Sequence, residues 1–215
     1  MKYPYLIFDI DGTLIDTEKT GVLSLQETIE VFMGKTLPYE EVYKFFGIPS
    51  HKVASLLNCP QEEEFASLWE HKFIEKRYLM KAFDGVEALL KILSDASHKL
   101  GVVTSRSRFE LDSDPVFARM AQYFDIAISS EDTLKHKPDP DPVLEYFKRA
   151  SDLYGVDIDL DKCLYIGDTM HDFKCANAAG IDFALADWRS RGLQGIPAQY
   201  IFSNCEELIK ILEIN

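Results

Sequence analysis

Acidic and hydroxyl side chains follow directly after an apolar segment near the start of the chain, in YLIFDIDGTLIDTE (residues 5–18). Asp9 and Asp11 are two residues apart, Gly12 comes next, and Thr13 adds a hydroxyl group. A carboxylate can act as a nucleophile or as a general acid and base, and its oxygens are hard ligands that suit Mg²⁺. The stretch is therefore either a turn or a reaction centre. The strands and helices predicted around it distinguish these two interpretations.

Polar side chains also follow other apolar segments. Two hydroxyl residues come after GVV, two aspartates come after CLYIG, and a lysine lies in KHKPDP. With the glycine that precedes the aspartates, this set is Thr104, Ser105, Lys137, Gly167, Asp168 and Asp172. A carboxylate that attacks a phosphate group meets charge repulsion, which a Mg²⁺ ion on oxygen ligands relieves. These residue types therefore favour phosphate chemistry.

Short apolar segments alternate with amphipathic segments along most of the chain. The apolar segments predict buried parallel strands, at residues 5–8, 99–104, 124–128, 162–167 and 181–185. The amphipathic segments predict helices, at residues 85–93, 140–155, 172–180 and 205–215. This alternation predicts an α/β fold with a doubly wound parallel sheet. Because ligands bind outside the carboxyl ends of such strands, the polar residues fall where a site is expected.

Residues 16–82 interrupt this alternation. They contain no convincing strand, and a hydrophobic stripe from Val22 to Met33 marks one face of a helix. We therefore predict an inserted helical domain, or cap, at residues 16–82, with the core formed by residues 1–15 and 83–215. Hinges between the two are expected at the crossings, near residues 15–17 and 81–83.

The composition is that of a globular protein with an acidic surface. The chain has 215 residues, of which 47% are hydrophobic, so it can bury a core. The formal charge of −13 argues against nucleic acid or a membrane as a partner, because both attract basic surfaces. The four cysteines lack the spacing of a zinc site, and no segment has the length of a signal peptide or membrane span. We therefore expect reduced thiols and a cytoplasmic location.

Four motifs occur in order along the chain: DIDGTLIDTE, VVTS, KPDP and GDTMHD. Together they resemble the motifs of the haloacid dehalogenase-like hydrolase superfamily, in its phosphoglycolate phosphatase-like subgroup with a helical cap after the first motif. The similarity extends from Asp9 to about Gly180. It implies a Rossmann-like core with the first strand in the centre, a phosphoaspartyl intermediate and dependence on Mg²⁺.

The resemblance also implies roles for the motif residues. Asp9 is the expected nucleophile and a metal ligand, and Asp11 is the expected general acid and base, with its backbone carbonyl on the metal. Thr104 and Lys137 are expected to hold the transferring phosphoryl group, and Asp168 is the third expected metal ligand.

Further residues of the motifs are expected to assist. Thr13 and Ser105 are predicted to contact the substrate, while Gly12 and Gly167 are predicted to support the ligands. Asp172 is predicted to support the metal ligands from behind, and capping of a helix start is its alternative role.

Substrate selection is expected to come from residues outside the motifs. In the cap, FFGIPSHKV carries His51 and Lys52 on a loop of the kind that faces the active site in this family. Arg106 and Arg108 follow Thr104, so either can reach a second anionic group of a substrate. The sequence RSR at residues 106–108 departs from the family pattern. The sequence DWRSRGLQGIP at residues 187–197 departs from it as well, and no role is predicted for this second segment.

The resemblance indicates a Mg²⁺-dependent phosphatase that acts on a small phosphorylated metabolite, either phosphoglycolate-like or a sugar phosphate. A phosphomutase of the β-phosphoglucomutase type is one alternative, and a non-catalytic binding module on the same fold is another. Dehalogenases and phosphonatases of the superfamily are disfavoured because they lack the second aspartate, which Asp11 supplies. The expected oligomeric state is a monomer or a homodimer.

Overall fold

The computed structural model describes residues 1–46, 48, 50–190 and 195–214, without the side chains of residues 50 and 51. The chain forms two compact units. One consists of Met1–Ile15 and Ala82–Asn215, and the other consists of Asp16–Lys81. The second unit thus ends one residue before the predicted end of the cap at residue 82.

The strands and helices have the following bounds within the described ranges. The strands are β1 (Tyr5–Phe8), β2 (Ile15–Asp16), β3 (Lys81–Ala82), β4 (Lys99–Val103), β5 (Ile126–Ile128), β6 (Cys163–Gly167), β7 (Asp182–Ala186) and β8 (Tyr200–Phe202). The helices are α1 (Glu18–Met33), α2 (Tyr39–Tyr43), α3 (Ser50–Leu56), α4 (Glu62–Glu75), α5 (Val86–Asp95), α6 (Arg108–Ser113), α7 (Pro115–Met120), α8 (Asp141–Tyr154), α9 (Met170–Ala178) and α10 (Cys205–Ile211). Among the residues described, no helix combines the length and the hydropathy that crossing a membrane requires.

A six-stranded parallel sheet has the strand order β5-β4-β1-β6-β7-β8. Strand β1 is central, and its residue Phe8 pairs with Val102 of β4 and with Ile166 of β6. Leu6, Ile7 and Phe8 are buried, which is typical of a strand covered on both faces. The predicted α/β class with a doubly wound parallel sheet is therefore confirmed. Because the three central strands end together, the residues that follow them lie at one edge of the sheet.

Helices α5 and α8 show why these segments fold as predicted. Helix α5 buries Val86, Leu89, Leu90 and Leu93, whose spacing gives one apolar stripe along a helix. Helix α8 ends at Gly155, which adopts the left-handed conformation that glycine permits at a helix end.

Several short elements were not predicted. Strands β2 and β3 have two residues each, lie at the two crossings between the units, and form a small sheet of their own. Strand β8 has three residues, too few to show an alternating or a continuous apolar pattern. Helices α6 and α7 have six residues each, which is too short for a clear helical pattern. For α7, the sequence Asp114-Pro115 is nevertheless a recognisable signal of a helix start.

The second unit has its own apolar core. Val22, Leu25 and Ile29 of α1 pack with Phe65 of α4 in one buried cluster. The indole Nε1 of Trp69 donates a hydrogen bond to Ser24 Oγ at 3.0 Å, which satisfies a polar group inside α1. The regular elements among its described residues are helices α1 to α4, one 3₁₀ turn and one end of each of the two short strands.

Candidate active site

The first predicted site residues are fixed by the sheet itself. The backbone N–H of Asp9 donates to the carbonyl of Ile166 at 2.9 Å, and that of Thr104 donates to the carbonyl of Ile128 at 3.0 Å. The parallel hydrogen-bond pattern thus continues one residue beyond β1 and β4. Asp9 and Thr104 are both buried, so their backbones are held in defined positions at the carboxyl edge of the sheet.

Lys137 forms the centre of a buried ionic network. Its Nζ lies 2.6 Å from Asp9 Oδ1 and 2.7 Å from Asp172 Oδ1, and its side chain is only 6% exposed. Tyr165, which the sequence analysis did not single out, donates its hydroxyl to the carbonyl of Val103 at 3.1 Å. The same hydroxyl lies 3.2 Å from Asp172 Oδ1. The lysine ahead of α8 therefore reaches the end of β1, where its ammonium group contacts Asp9.

Asp172 caps the start of α9, which is one of the two roles considered for it, and it also contacts Lys137. Its Oδ1 contacts Lys137, while its Oδ2 accepts hydrogen bonds from the backbone N–H and the hydroxyl of Thr169. Thr169 in turn accepts from the backbone N–H of Asp172, which completes a capping box at the start of α9. Both oxygens of Asp172 are thus engaged by protein groups.

An acidic group that can hold a cation includes two of the predicted ligands. Asp9, Asp168 and Asp172 each have a carboxylate oxygen within 4.8 Å of the others. Thr13 Oγ1 donates to Asp168 Oδ1 at 3.3 Å. The carboxylate of Asp11 is not part of the group and is bound elsewhere. Because Asp172 is saturated by Lys137 and Thr169, Asp9 and Asp168 are the carboxylates best suited to ligate a metal.

Burial shifts the acid–base properties of this network. The pKa of Asp9 is raised to about 7, mainly because its carboxyl is buried, and Asp172 and Asp11 add to this effect whereas Lys137 opposes it. Burial likewise raises the pKa of Asp168 well above its usual range. Burial disfavours the charged form of Lys137, but Asp172 and Asp9 outweigh this and raise its pKa. Lys137 therefore stays charged, whereas burial favours the protonated forms of Asp9 and Asp168.

We expect the metal-free protein to lose stability as the pH rises from about 5.5 to about 8. In the unfolded chain an aspartate has a pKa of about 3.9, whereas in the folded protein the pKa values of Asp9 and Asp168 are raised. At a pH between these values the folded state binds more protons than the unfolded state, so stability falls as the pH rises. Mg²⁺ has to displace these protons, so it should raise Tm more at about pH 8 than at about pH 5.5. Thermal unfolding with EDTA and with Mg²⁺ at both pH values measures this difference.

Asp168→Asn is the control for this pH dependence. It should lose most of the rise in Tm caused by Mg²⁺, because one of the two carboxylates best suited to ligate the ion is removed. A rise in Tm that is equal at both pH values, or larger at the lower one, would contradict the expectation.

Two glycines allow the acidic side chains to approach the backbone. A Cβ atom on Gly12 would lie 2.1 Å from Asp168 Oδ2, and Gly12 has a φ of +81° that disfavours other residues. A Cβ atom on Gly167 would lie 2.6 Å from the Cβ of Asp172. The two glycines predicted to support the ligands therefore lie in direct contact with these carboxylate residues.

Gly12→Ala is expected to lower kcat by about 100-fold, because the added methyl group displaces Asp168 by an amount on the order of 1 Å. Gly155→Ala is the matched control, since Gly155 has a φ of +68° but no atom within 4 Å of its added Cβ. Both variants should lose roughly 1–2 kcal/mol from the positive φ alone. Steady-state kinetics and thermal unfolding separate the two effects, and equal kcat values for both variants would disprove the role of Gly12.

The hydroxyl residues after β4 differ in their surroundings. Thr104 Oγ1 accepts a hydrogen bond from the backbone N–H of Arg106 at 3.2 Å, so its own hydrogen can be donated to a ligand. Ser105 is exposed next to it.

Arg106, which was predicted to reach a second anionic group of a substrate, is buried and paired within the protein. Its side chain is 7% exposed and binds two carboxylates of the protein. Nε and Nη2 donate to Asp11 at 2.9 and 2.8 Å, and Nη1 donates to Asp114 at 2.5 Å. The other oxygen of Asp114 accepts from the first backbone N–H groups of α7. Asp114 was missed by the sequence analysis, although its position before a proline indicated a helix cap.

Trp188 links two chain segments that the sequence analysis left unconnected. Its indole Nε1 donates to the carbonyl of Thr13 at 2.9 Å. Its ring stacks on Phe83, with centroids 5.0 Å apart and planes at 16°. The segment after β7, for which no role was predicted, thus supports the loop that follows β1.

The cap residues predicted to select the substrate are only partly described. Lys52 is an exposed residue of α3, whereas the side chain of His51 lies outside the described part of the chain.

A family model described as haloacid dehalogenase-like hydrolase matches residues 6–186, which is most of the chain. The chain therefore belongs to the haloacid dehalogenase-like hydrolase family. The family predicted from the four motifs is confirmed, as is the predicted enzyme class, a phosphatase of this family.

Individual relatives cover the chain almost completely. Pyrophosphatase PpaX from Bacillus velezensis is 27% identical over 210 residues, covering 96% of this chain and 94% of the relative. Pyrophosphatase PpaX from Bacillus mycoides is 25% identical over 217 residues, covering 99% of this chain and 98% of the relative. A solved structure from Lactobacillus plantarum, provisionally assigned as a phosphoglycolate phosphatase, has a TM-score of 0.82 at 27% identity. The similarity covers 98% of this chain and 100% of that one.

Proposed function

We propose that the protein is a Mg²⁺-dependent phosphatase that hydrolyses a small phosphate ester or anhydride through a phosphoaspartyl intermediate on Asp9. The observation that supports this most directly is the grouping of Asp9 with Asp168 and Lys137 at the end of the central strand. A carboxylate in this position has a cation on one side and a potential metal ligand on the other.

Each proposed step uses a group whose surroundings suit it. A carboxylate oxygen of Asp9 bonds to phosphorus while the bond to the leaving oxygen breaks and its electron pair departs with that oxygen. Asp11 donates a proton to the leaving oxygen and then accepts one from the water that attacks the phosphoaspartate, which regenerates the Asp9 carboxylate. Lys137 and the hydroxyl of Thr104 offset the charge of the phosphoryl oxygens.

The charge of the site fits a divalent cation. Asp9, Asp168 and Asp172 bring three negative charges when ionised, and Lys137 brings one positive charge, which leaves two negative charges. The carboxylates of Asp9 and Asp168 and the backbone carbonyl of Asp11 would hold Mg²⁺. Once bound, the ion would reduce the repulsion between the Asp9 carboxylate and the phosphate.

The relatives suggest the substrate class. Proteins named pyrophosphatase and phosphoglycolate phosphatase are similar to this chain over nearly its whole length. Pyrophosphate and phosphoglycolate both carry a second anionic group beside the phosphoryl group that is transferred. We therefore favour a small phosphate with a second anionic group over a simple sugar phosphate.

A substrate panel tests the proposed function. The purified protein is assayed with pyrophosphate, phosphoglycolate and β-glucose 1-phosphate, in Mg²⁺ and in EDTA, for free phosphate and for isomerised sugar phosphate. Mg²⁺-dependent release of phosphate is the expected result. Isomerised product without free phosphate would favour the mutase alternative, and inactivity throughout would favour a binding module.

Lys52 and His51 are proposed to contribute to substrate choice from the cap. We expect Lys52→Ala to change the ratio of the KM values for pyrophosphate and phosphoglycolate while kcat changes little, because a binding contact outside the reacting groups is lost. Lys148→Ala, which removes an exposed lysine of the core unit, is the control. An unchanged ratio of KM values would remove Lys52 from substrate selection.

A further inference from the structure

Arg106 has one buried and one partly exposed carboxylate partner. The Asp114 side chain is 2% exposed, and its second oxygen is bound to the start of α7, so it is held by the fold. The Asp11 side chain is 35% exposed, compared with 7% for Arg106. Asp11 is therefore the partner on the solvent side of the guanidinium group, and a rotation of its side chain would uncover Arg106.

The Asp11 pair competes with the role proposed for this residue. Two guanidinium N–H groups donate to the two oxygens of the carboxylate, one to each. A general acid and base has to direct one of its oxygens at the leaving group or at water. Release of Asp11 from Arg106 would therefore leave an oxygen of Asp11 free to turn toward the leaving group or water.

We propose that Arg106 is a positioning residue that exchanges Asp11 for the second anionic group of the substrate, so that a substrate with this group releases Asp11 for catalysis. This inference rests on the proposed function. The exchange transfers no proton or electron, because the guanidinium group keeps its charge and replaces one anion with another. Arg106 keeps Asp114 as a partner throughout, so its buried charge is never left without a counter-ion.

The chemistry of the guanidinium group defines the anion that can replace Asp11. Its N–H groups form a planar fork that fits the paired oxygens of a carboxylate or a phosphate. The guanidinium group contacts Asp11, which is two residues from the proposed nucleophile Asp9, so the exchanged anion would lie close to the phosphoryl group. This proximity selects compact substrates such as pyrophosphate and phosphoglycolate. A phosphate monoester with an uncharged remainder, such as p-nitrophenyl phosphate, would leave Asp11 on Arg106.

The test compares kcat/KM for pyrophosphate with kcat/KM for p-nitrophenyl phosphate, both with Mg²⁺. In Arg106→Met, the ratio of the two values should fall by roughly 10- to 100-fold, the effect of losing a charged, two-pronged contact. The value for p-nitrophenyl phosphate should fall less than the value for pyrophosphate, since this substrate has no second anionic group to lose a contact. A residue that only stabilises the fold would lower both values by the same factor.

Two further variants make the result decisive. Arg106→Lys keeps the positive charge between Asp11 and Asp114 but lacks the fork, so the ratio should fall even if Arg106→Met does not fold. Arg108→Met is the matched control, because Arg108 is paired with Asp132 and is 43% exposed, and it should leave the ratio unchanged. If the unaltered enzyme is active and the ratio of the two kcat/KM values is unchanged in the Arg106 variants, the exchange is disproved while the proposed function still holds. If the unaltered protein hydrolyses neither substrate, the proposed function fails and the exchange fails with it.

Discussion

Asp9→Asn is expected to reduce kcat by at least about 10⁴-fold with every substrate, on the scale seen when other enzymes lose their nucleophile. The amide has nearly the shape of the carboxylate but cannot attack phosphorus, so no phosphoaspartate forms. The measurement is steady-state release of phosphate in Mg²⁺, together with the intact mass of acid-quenched enzyme. The unaltered enzyme should show the added mass of one phosphoryl group during turnover, and the variant should show none.

Loss of the fold would not explain this result. Burial raises the pKa of Asp9, which means that its charged form is costly in the folded protein. A neutral amide removes that cost, so the Tm of metal-free Asp9→Asn at about pH 8 should not fall below that of the unaltered protein. Asp95→Asn, on the exposed side of α5, is the control with the same chemical change and should retain full activity. Substantial turnover by Asp9→Asn would exclude a covalent mechanism through this residue.

Lys137→Ala is expected to damage both stability and catalysis. Removing the ammonium group leaves Asp9 and Asp172 buried without their common cation, and breaking a buried ion pair in this way costs roughly 3–5 kcal/mol. The pKa of Asp9 should rise further, so that less of the nucleophile is ionised at neutral pH. We expect kcat to fall for every substrate by roughly 10²- to 10³-fold, the effect of losing one group that stabilises transition-state charge.

Lys135→Ala in the same loop provides the comparison for Lys137. Its Nζ lies 3.4 Å from Asp139, but its side chain is 66% exposed, so its loss should change the free energy of unfolding by less than about 1 kcal/mol. Chemical denaturation and kcat for two unlike substrates should be measured for both variants. If Lys137→Ala altered the preference between substrates while kcat stayed high, Lys137 would be a specificity residue rather than part of the general machinery.

The sequence was most informative where local pattern and burial agree. Strand β1 is a short apolar segment followed by Asp9, and its central position in the sheet accounts for its burial. Lys137 shows a different case, because 128 residues separate it from Asp9. Spacing along the chain could not bring the two together, and only the resemblance of KPDP to a family motif connected them.

The sequence was least informative for interactions that depend on several side chains at once. Nothing near Arg106 in the sequence indicated burial, and its partner Asp114 had a local reason to be present as a helix cap. Tyr165 occurs in an apolar strand, where an aromatic residue needs no further explanation. The contacts of its hydroxyl with Val103 and Asp172 depend on how the fold brings β6, β4 and α9 together, which the sequence does not show.

The two tryptophans give this protein a pair of independent optical probes. Trp69 belongs to the cap unit and is bonded to Ser24, whereas Trp188 belongs to the core unit and is bonded to Thr13. Replacing either one by phenylalanine leaves a single fluorophore in one unit. Denaturation followed by the emission of each variant would then show whether cap and core unfold as one cooperative system or as two.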